Sequence, residues 1–220
     1  KIVFMNAEIA LKTFSPAIIP MLQKENELVN TYEKLLASAQ VPFEGKEYTL
    51  SQMTLFKNDK DDERRLAAWK AEGQWYKDNQ NQLDEIYDQM VHLRDEMGKK
   101  LGYDDFVKLG YYRMNRNCYD KADVEKFREA VVKYVVPVAA KVYERQAKRL
   151  GKTYPMSYAD NAIEFRSGNP KPVGKPEDIV AAGKKFYEWR SPETREFFDY
   201  MLENELMDLL STKGKQGGGY

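Results

Sequence analysis

Few of the side chains that do acid–base, nucleophilic or metal chemistry stand at spacings that could use them. His92 is the only histidine in the chain. Asp88 lies one helical turn before it and Glu96 one turn after, so a metal-ligand reading has to be weighed. The carboxylate-bridged di-iron signature places a glutamate three residues ahead of its histidine, and Gln89 stands there instead. A zinc-peptidase helix needs two histidines one turn apart with a glutamate as general base, and one histidine cannot supply that site. A Ser-His-Asp or Cys-His arrangement would have to recruit His92 from the middle of a helix. Cys118, the single cysteine, lacks a base for the same reason. No glycine-rich phosphate loop ending in Lys-Ser/Thr occurs. Glu203, Glu205 and Asp208 recur at ordinary helical spacings, where solvated faces and ion pairs are the default. The acidic run Asn58–Glu63 resembles a calcium loop at first sight. The sixth residue from Asp59 is Arg64, however, where such a loop needs glycine for its sharp turn. Acids at a helix start, facing the positive end of the dipole, account for that run. No residue here is expected to be catalytic or to ligate metal.

Two stretches remain. Lys99 to Tyr119, KKLGYDDFVKLGYYRMNRNCY, joins two long amphipathic segments. Gly102 reads as a helix stop, Asp104 and Asp105 as a first turn, and Gly110 as a loose point in a short helix. Tyr111, Tyr112, Arg113, Asn115, Arg116 and Asn117 then crowd hydrogen-bonding groups into one corner. Such a corner either locks helices together or lines a groove. The second stretch is Gly217, Gly218 and Gly219 before Tyr220. Bare glycines let a backbone approach a ligand closely and present its N–H and C=O groups. A flexible tail is the plainer reading.

The elements that would position these residues follow from periodicity. Lys1 to Leu11 is apolar, and Ser15-Pro16 and Pro20 punctuate a helix start. Pro20 to Ala39 places Leu22, Leu28, Tyr32, Leu35 and Leu36 on one face. Val41 to Leu50 alternates about Glu44-Gly45, a small β-hairpin, and Ser51 is expected to cap a short helix through Phe56. A helical pattern then runs nearly to Leu101, with Gly73 its weak point. Leu83, Ile86, Met90, Leu93, Met97 and Leu101 form a coiled-coil-like seam. Asp120 to Leu150 reads as one helix with the stripe Val124, Phe127, Val131, Tyr134, Val138 and Val142, kinked at Pro137. Lys152 to Lys175 is irregular. Pro176 opens a helix to about Trp189, and Ser191-Pro192-Glu193 caps another whose expected buried stripe is Phe198, Met201, Leu202, Leu206 and Leu209. The fold class is mainly α, long antiparallel helices with one small hairpin. Residues 1–101 hold the N-terminal helices and hairpin, 102–119 the junction, and 120–220 the helices leading to the glycine segment.

Lysine plus arginine and aspartate plus glutamate both total 35, a balance that argues against a nucleic-acid footprint. No apolar run reaches the ~18 residues of a membrane span. One cysteine cannot build a disulfide framework and suits a reducing compartment. The opening at Lys1 in an apolar run, the terminal glycines and an aromatic content of 13% together predict a piece of a longer polypeptide whose faces pack on further chain.

Three segments carry a family resemblance. The first is LGYDDFVKLGYYRMNRN from Leu101 to Asn117, continued by Tyr119-Asp120 and the helix start Asp123–Arg128. The second is Val136-Pro137-Val138 with Arg145–Gly151. The third joins Ser167–Pro172, Ser191–Thr194, Glu205–Leu209 and Lys213–Tyr220. Together they resemble the oligoendopeptidase F family of zinc metallopeptidases, relatives of thimet oligopeptidase. The resemblance implies a larger, helical, cytoplasmic zincin-type enzyme that hydrolyses short peptides with zinc and a glutamate base. In that family the His-Glu-x-x-His helix follows the glycine–tyrosine strand, so no ligand or base carries over to any position here. What does carry over is a substrate-binding role for a strand at Gly217, Gly218, Gly219 and Tyr220. The implied partners are short peptides and the remainder of the same polypeptide, with no nucleic acid and no membrane. A non-catalytic helical interaction module is the competing expectation.

Overall fold

The computed structural model describes residues 1–215, 217 and 218, and among them helices and one hairpin follow each other as follows. Helix α1 (Ile2–Thr13) leads through a 3-10 turn at Pro16–Ile18 into α2 (Ile19–Ala37). Strands β1 (Val41–Phe43) and β2 (Lys46–Tyr48) form the hairpin, followed by α3 (Leu50–Lys57), α4 (Asp62–Asp78) and α5 (Gln80–Lys100). Helix α6 (Phe106–Arg113) fills the junction. Helices α7 (Lys121–Ala130) and α8 (Val136–Leu150) are joined by a π turn over Val131–Val135. Helices α9 (Pro176–Arg190) and α10 (Pro192–Glu203) close the order.

The seam on α5 packs along α2, with Ile86 and Met97 buried and Leu83, Met90, Leu93 and Leu101 half-buried. Met97 meets Ile18 and Leu109 in one core cluster, so the same helix end anchors the 3-10 turn and α6. A second cluster lies under the hairpin. Glu44 (φ 48°) and Gly45 (φ 76°) are both left-handed, the two-residue turn whose twist matches a hairpin. With Val41 opposite Tyr48, the buried Val41 and Phe43 share a cluster with Met53 of α3 and Ala68 of α4. Burying Val41, Phe43 and Met53 stabilises the fold by about 1.5–3 kcal/mol each.

The structure corrects several boundaries. Thr49, not Ser51, caps α3: its Oγ1 accepts from the Gln52 backbone N–H, and the Gln52 side chain accepts from Thr49 N–H. That reciprocal cap satisfies two orphan donors, which Ser51 inside the helix cannot do. The long pattern before Leu101 is two helices meeting at Asn79, whose side-chain amide donates to the Trp75 carbonyl and closes the first of them. Gly73 sits inside unbroken helix. Glycine is required instead at Gly98, where a Cβ would lie 2.5 Å from the Asp105 carbonyl oxygen as the chain turns back into α6. Gly110 does not loosen α6; it is buried beside the Phe106 ring. The segment from Asp120 to Leu150 accommodates Pro137, which lacks an N–H, through the π turn just ahead of it, where Val136 N–H reaches Val131 O. Leu206 and Leu209 lie beyond the end of α10 and are exposed, leaving Phe198, Met201 and Leu202 as the half-buried part of that stripe.

Two buried charges tie these elements together. Glu25 of α2 is 3% exposed and receives Arg94 Nε of α5 at 2.7 Å and Arg113 Nη2 of α6 at 2.8 Å. Burial pushes its carboxyl upward, but the hydrogen bonds and charges of Arg113 and Arg94 outweigh that and hold it below the ordinary carboxylate value. Arg65 of α4 is wholly buried and gives its Nε to the Ala159 carbonyl (3.0 Å) and Nη1 to the Asp59 carbonyl (2.8 Å). Its Nη2 serves Asp62 at 2.6 Å and also Asp160. Lys152 completes the network at 2.6 Å from Asp62 and 3.0 Å from Asp160.

Replacing Arg65 by methionine strands two carbonyls and a half-buried carboxylate, so Arg65→Met should cost about 3 kcal/mol in urea denaturation at pH 7. Arg65→Lys should recover only part of it, because an ammonium cannot span four acceptors. A loss under about 1 kcal/mol for the methionine variant would contradict the role assigned to this residue. Glu25→Gln tests the other node. A carboxyl with a lowered folded pKa contributes fully above its ordinary value of 4.5 and loses that contribution as pH falls through the folded value. The wild type should therefore exceed Glu25→Gln in stability at pH 7, with the gap closing below about pH 4.5; a gap constant with pH would refute the linkage.

Candidate functional site

The junction is a lock. Arg113, a candidate for facing a groove, is spent on Glu25. Tyr112 lies 6.1 Å from the Tyr103 ring with the Lys12 ammonium 5.5 Å from its own centroid, and Tyr103 Oη donates to the Lys12 carbonyl at 2.9 Å. Tyr111 carries the Arg116 guanidinium 4.6 Å above its ring. Asn117 donates to the Asn6 side chain at 2.5 Å. The dense polar run thus fixes α1, α2, α5 and α6 to one another. Tyr111 and Tyr112 are half-buried in that corner. The signal that would have found Glu25 was present: it sits three residues from both Leu22 and Leu28, on the inward face of α2.

His92 stands apart on the surface, its side chain 73% exposed. Its Nδ1 lies 2.9 Å from the Asp88 carbonyl oxygen and 3.4 Å from the Asp88 carboxylate, and that backbone contact, with the carboxylate charge, raises its pKa. Glu96 is exposed and joins no cluster with it. Among the described residues no three histidine, cysteine, aspartate or glutamate side chains converge in a way that could hold a metal ion. Cys118 is exposed, and its Sγ lies 2.9 Å from Asn117 Oδ1. No single helix among these residues is long and apolar enough to cross a membrane.

The remaining candidate is the C-terminal segment. Past Glu203 the described residues run without helix or strand back toward α3. Ser211 Oγ lies 3.3 Å from Thr49 Oγ1. Lys215 Nζ donates to the carbonyls of Asp208 (2.6 Å) and Leu210 (2.8 Å) and pairs with the Asp208 carboxylate at 2.9 Å. These contacts enclose a groove of about 510 Å³ lined by Ser51, Met201, Leu206, Leu210, Gly217 and Gly218. A Cβ on Gly217 would approach Ser51 Oγ to 2.6 Å, so a larger residue there would have to turn that hydroxyl aside. Of the four residues expected to form a substrate-binding strand, Gly217 and Gly218 are described, and neither lies in a strand. Gly219 and Tyr220 fall outside the described residues. The groove offers hydroxyls, backbone amides and apolar side chains. Asp208 and Lys215 add a carboxylate and an ammonium to its lining.

The sequence model of the peptidase family M2, described as angiotensin-converting enzyme, matches residues 11–168. No curated protein matches. A solved structure of PZ peptidase A with an inhibitor is 47% identical, with a TM-score of 0.96 over 100% of this chain. Two further solved structures are provisionally assigned to oligoendopeptidase F. One is 45% identical over 99% of this chain with a TM-score of 0.95. The other, from Bacillus anthracis str. Ames, is 44% identical over 100% with a TM-score of 0.96. The chain spans only 38–40% of the length of these three. A family model covering most of the sequence and a backbone shared from end to end lead to one placement: the chain belongs to the oligoendopeptidase F family of peptidases, within the wider group described by the angiotensin-converting enzyme model.

Proposed function

We propose that these 220 residues are the scaffold and cleft wall of a zinc-dependent oligoendopeptidase that hydrolyses short peptides in the cytoplasm. The observation that carries this reading is the near-identical backbone shared with peptidases two to three times as long. The chain's own residues do not fit a zinc ion. One exposed histidine with one acidic neighbour cannot make the three-ligand open site that hydrolysis needs. Zinc and general base therefore belong to another part of such an enzyme, and this part contributes shape. Within it, Gly217 and Gly218 are the positions suited to hold substrate backbone, and Gly219 and Tyr220 continue that proposal along the sequence. A glycine segment lying against Ser51 leaves N–H and C=O groups unobstructed by side chains, the arrangement that strand-type peptide recognition uses.

The purified 220-residue chain should bind less than a tenth of an equivalent of zinc by elemental analysis and should leave short quenched-fluorophore peptides uncut. Full metal occupancy with turnover would overturn the division of labour proposed here.

A further inference from the structure

The helical rod from α7 through the π turn into α8 presents an apolar face that nothing among the described residues covers. Phe127, Val132, Tyr134, Val135, Val138 and Val142 are all more than half exposed. Anchors lie only beyond the two ends of this stretch. At the start, Arg116 stacks over Tyr111 of α6 as well as beside Tyr119. At the far end, Gln146 donates to the carbonyls of Asn161 and Ile163, and Arg149 pairs with Glu164. Around the exposed stripe the charge is one-sided. From Glu125 to Arg145 the cations Lys126, Arg128, Lys133, Lys141 and Arg145 outnumber the acids Glu125, Glu129 and Glu144, Glu125 pairs with Lys121, and among the described residues none of these five cations makes an ion pair. The chain as a whole is neutral, so this local excess is not a background effect.

We propose that this stripe is a packing seam for an apolar, acid-flanked segment of the remaining peptidase fold, the part of the matched structures that this chain does not span. Three observations choose that occupant. The backbone agrees with much longer peptidases at a TM-score of 0.96, so roughly three-fifths of such a fold is available to cover it. Valine dominates the stripe, as it does in buried helix contacts, whereas a helix lying on a membrane presents tryptophan, phenylalanine and leucine. Unpaired cations along the rim call for carboxylates opposite, at the edges of an interface rather than in its middle. The inference rests on family membership and not on peptide hydrolysis, and it would stand if the proposed activity failed.

The test is a chimera in which this chain replaces the corresponding stretch of PZ peptidase A. Hydroxyl-radical footprinting should find Phe127 and Tyr134 reactive in the isolated chain and at least five-fold protected in the chimera. Val138→Asp should leave the melting temperature of the isolated chain unchanged, because that side chain is already in water, yet lower that of the chimera by 5 °C or more. Lys133→Glu should act in the same direction by a smaller amount. Equal reactivity in both proteins, or a chimera indifferent to Val138→Asp, would overturn the seam. So would a chimera that melts below the isolated chain. Protection of the isolated chain that grows with its concentration would assign the face to a second copy. Stripe-dependent sedimentation of the isolated chain with phosphatidylserine–phosphatidylcholine vesicles would assign it to a membrane surface. Either result also overturns the proposal.

Discussion

One carboxylate sets the relative positions of three helices. Glu25 is removed from water, and the cost of burying its charge is recovered only if both Arg94 and Arg113 stay in reach. Each arginine comes from a different helix, so α2, α5 and α6 cannot slide independently without leaving a charge stranded. Apolar packing alone would tolerate such sliding, since Ile18, Met97 and Leu109 could repack at modest cost. The ionic contact adds direction to a contact that is otherwise only cohesive. Because Arg113 ends α6, the loop that follows it also inherits a fixed starting point.

Arg65 plays the corresponding part for the other half of the chain. Four acceptors on one guanidinium join the start of α4 to the 3-10 turn at Tyr158–Asp160, in a region that sequence periodicity describes only as irregular. The planar fork of arginine makes this possible, and Lys152 shares the two carboxylates without replacing it. A segment with no more than a 3-10 turn is thereby tied to the start of α4.

What the sequence made legible follows from the physics of each feature. The hairpin, the α2–α5 seam and the Ser191-Pro192 helix start are all local patterns, and each stands where its pattern puts it. Asn79 was missed because a helix can end on an asparagine without glycine or proline to announce it. Ser51 and Thr49 can both do the capping chemistry, and only the reciprocal bond with Gln52 assigns the cap to Thr49. Arg65 and Glu25 escaped because a charged residue on an inward face reads as an exception until its partners are known, and the partners that cross the fold, Ala159 and Asp160 for Arg65 and Arg94 and Arg113 for Glu25, are 69 to 95 positions away. The stripe on α7 and α8 was visible at once, yet its exposure was not, since periodicity reports a face and never what covers it. The candidate site was the least legible part. Glycines signal freedom of approach, but the groove they border is made by Ser51 and Met201, which carry no motif.

The Arg65 contact also has a temporal side. Asp160 follows Arg65 by 95 residues, whereas the hairpin and α3 that pack on α4 are made before it. On a ribosome adding about 5–20 residues per second, some 5–19 seconds pass before that acceptor exists. During that interval α4 carries a guanidinium destined for the interior with no carboxylate beyond Asp62 to receive it. The hairpin unit must therefore remain hydrated at this end, and its closure waits on a distant stretch of chain. Late, long-range closure of this kind slows folding more than it adds to final stability. The N-terminal helices, by contrast, can settle once Arg113 has emerged.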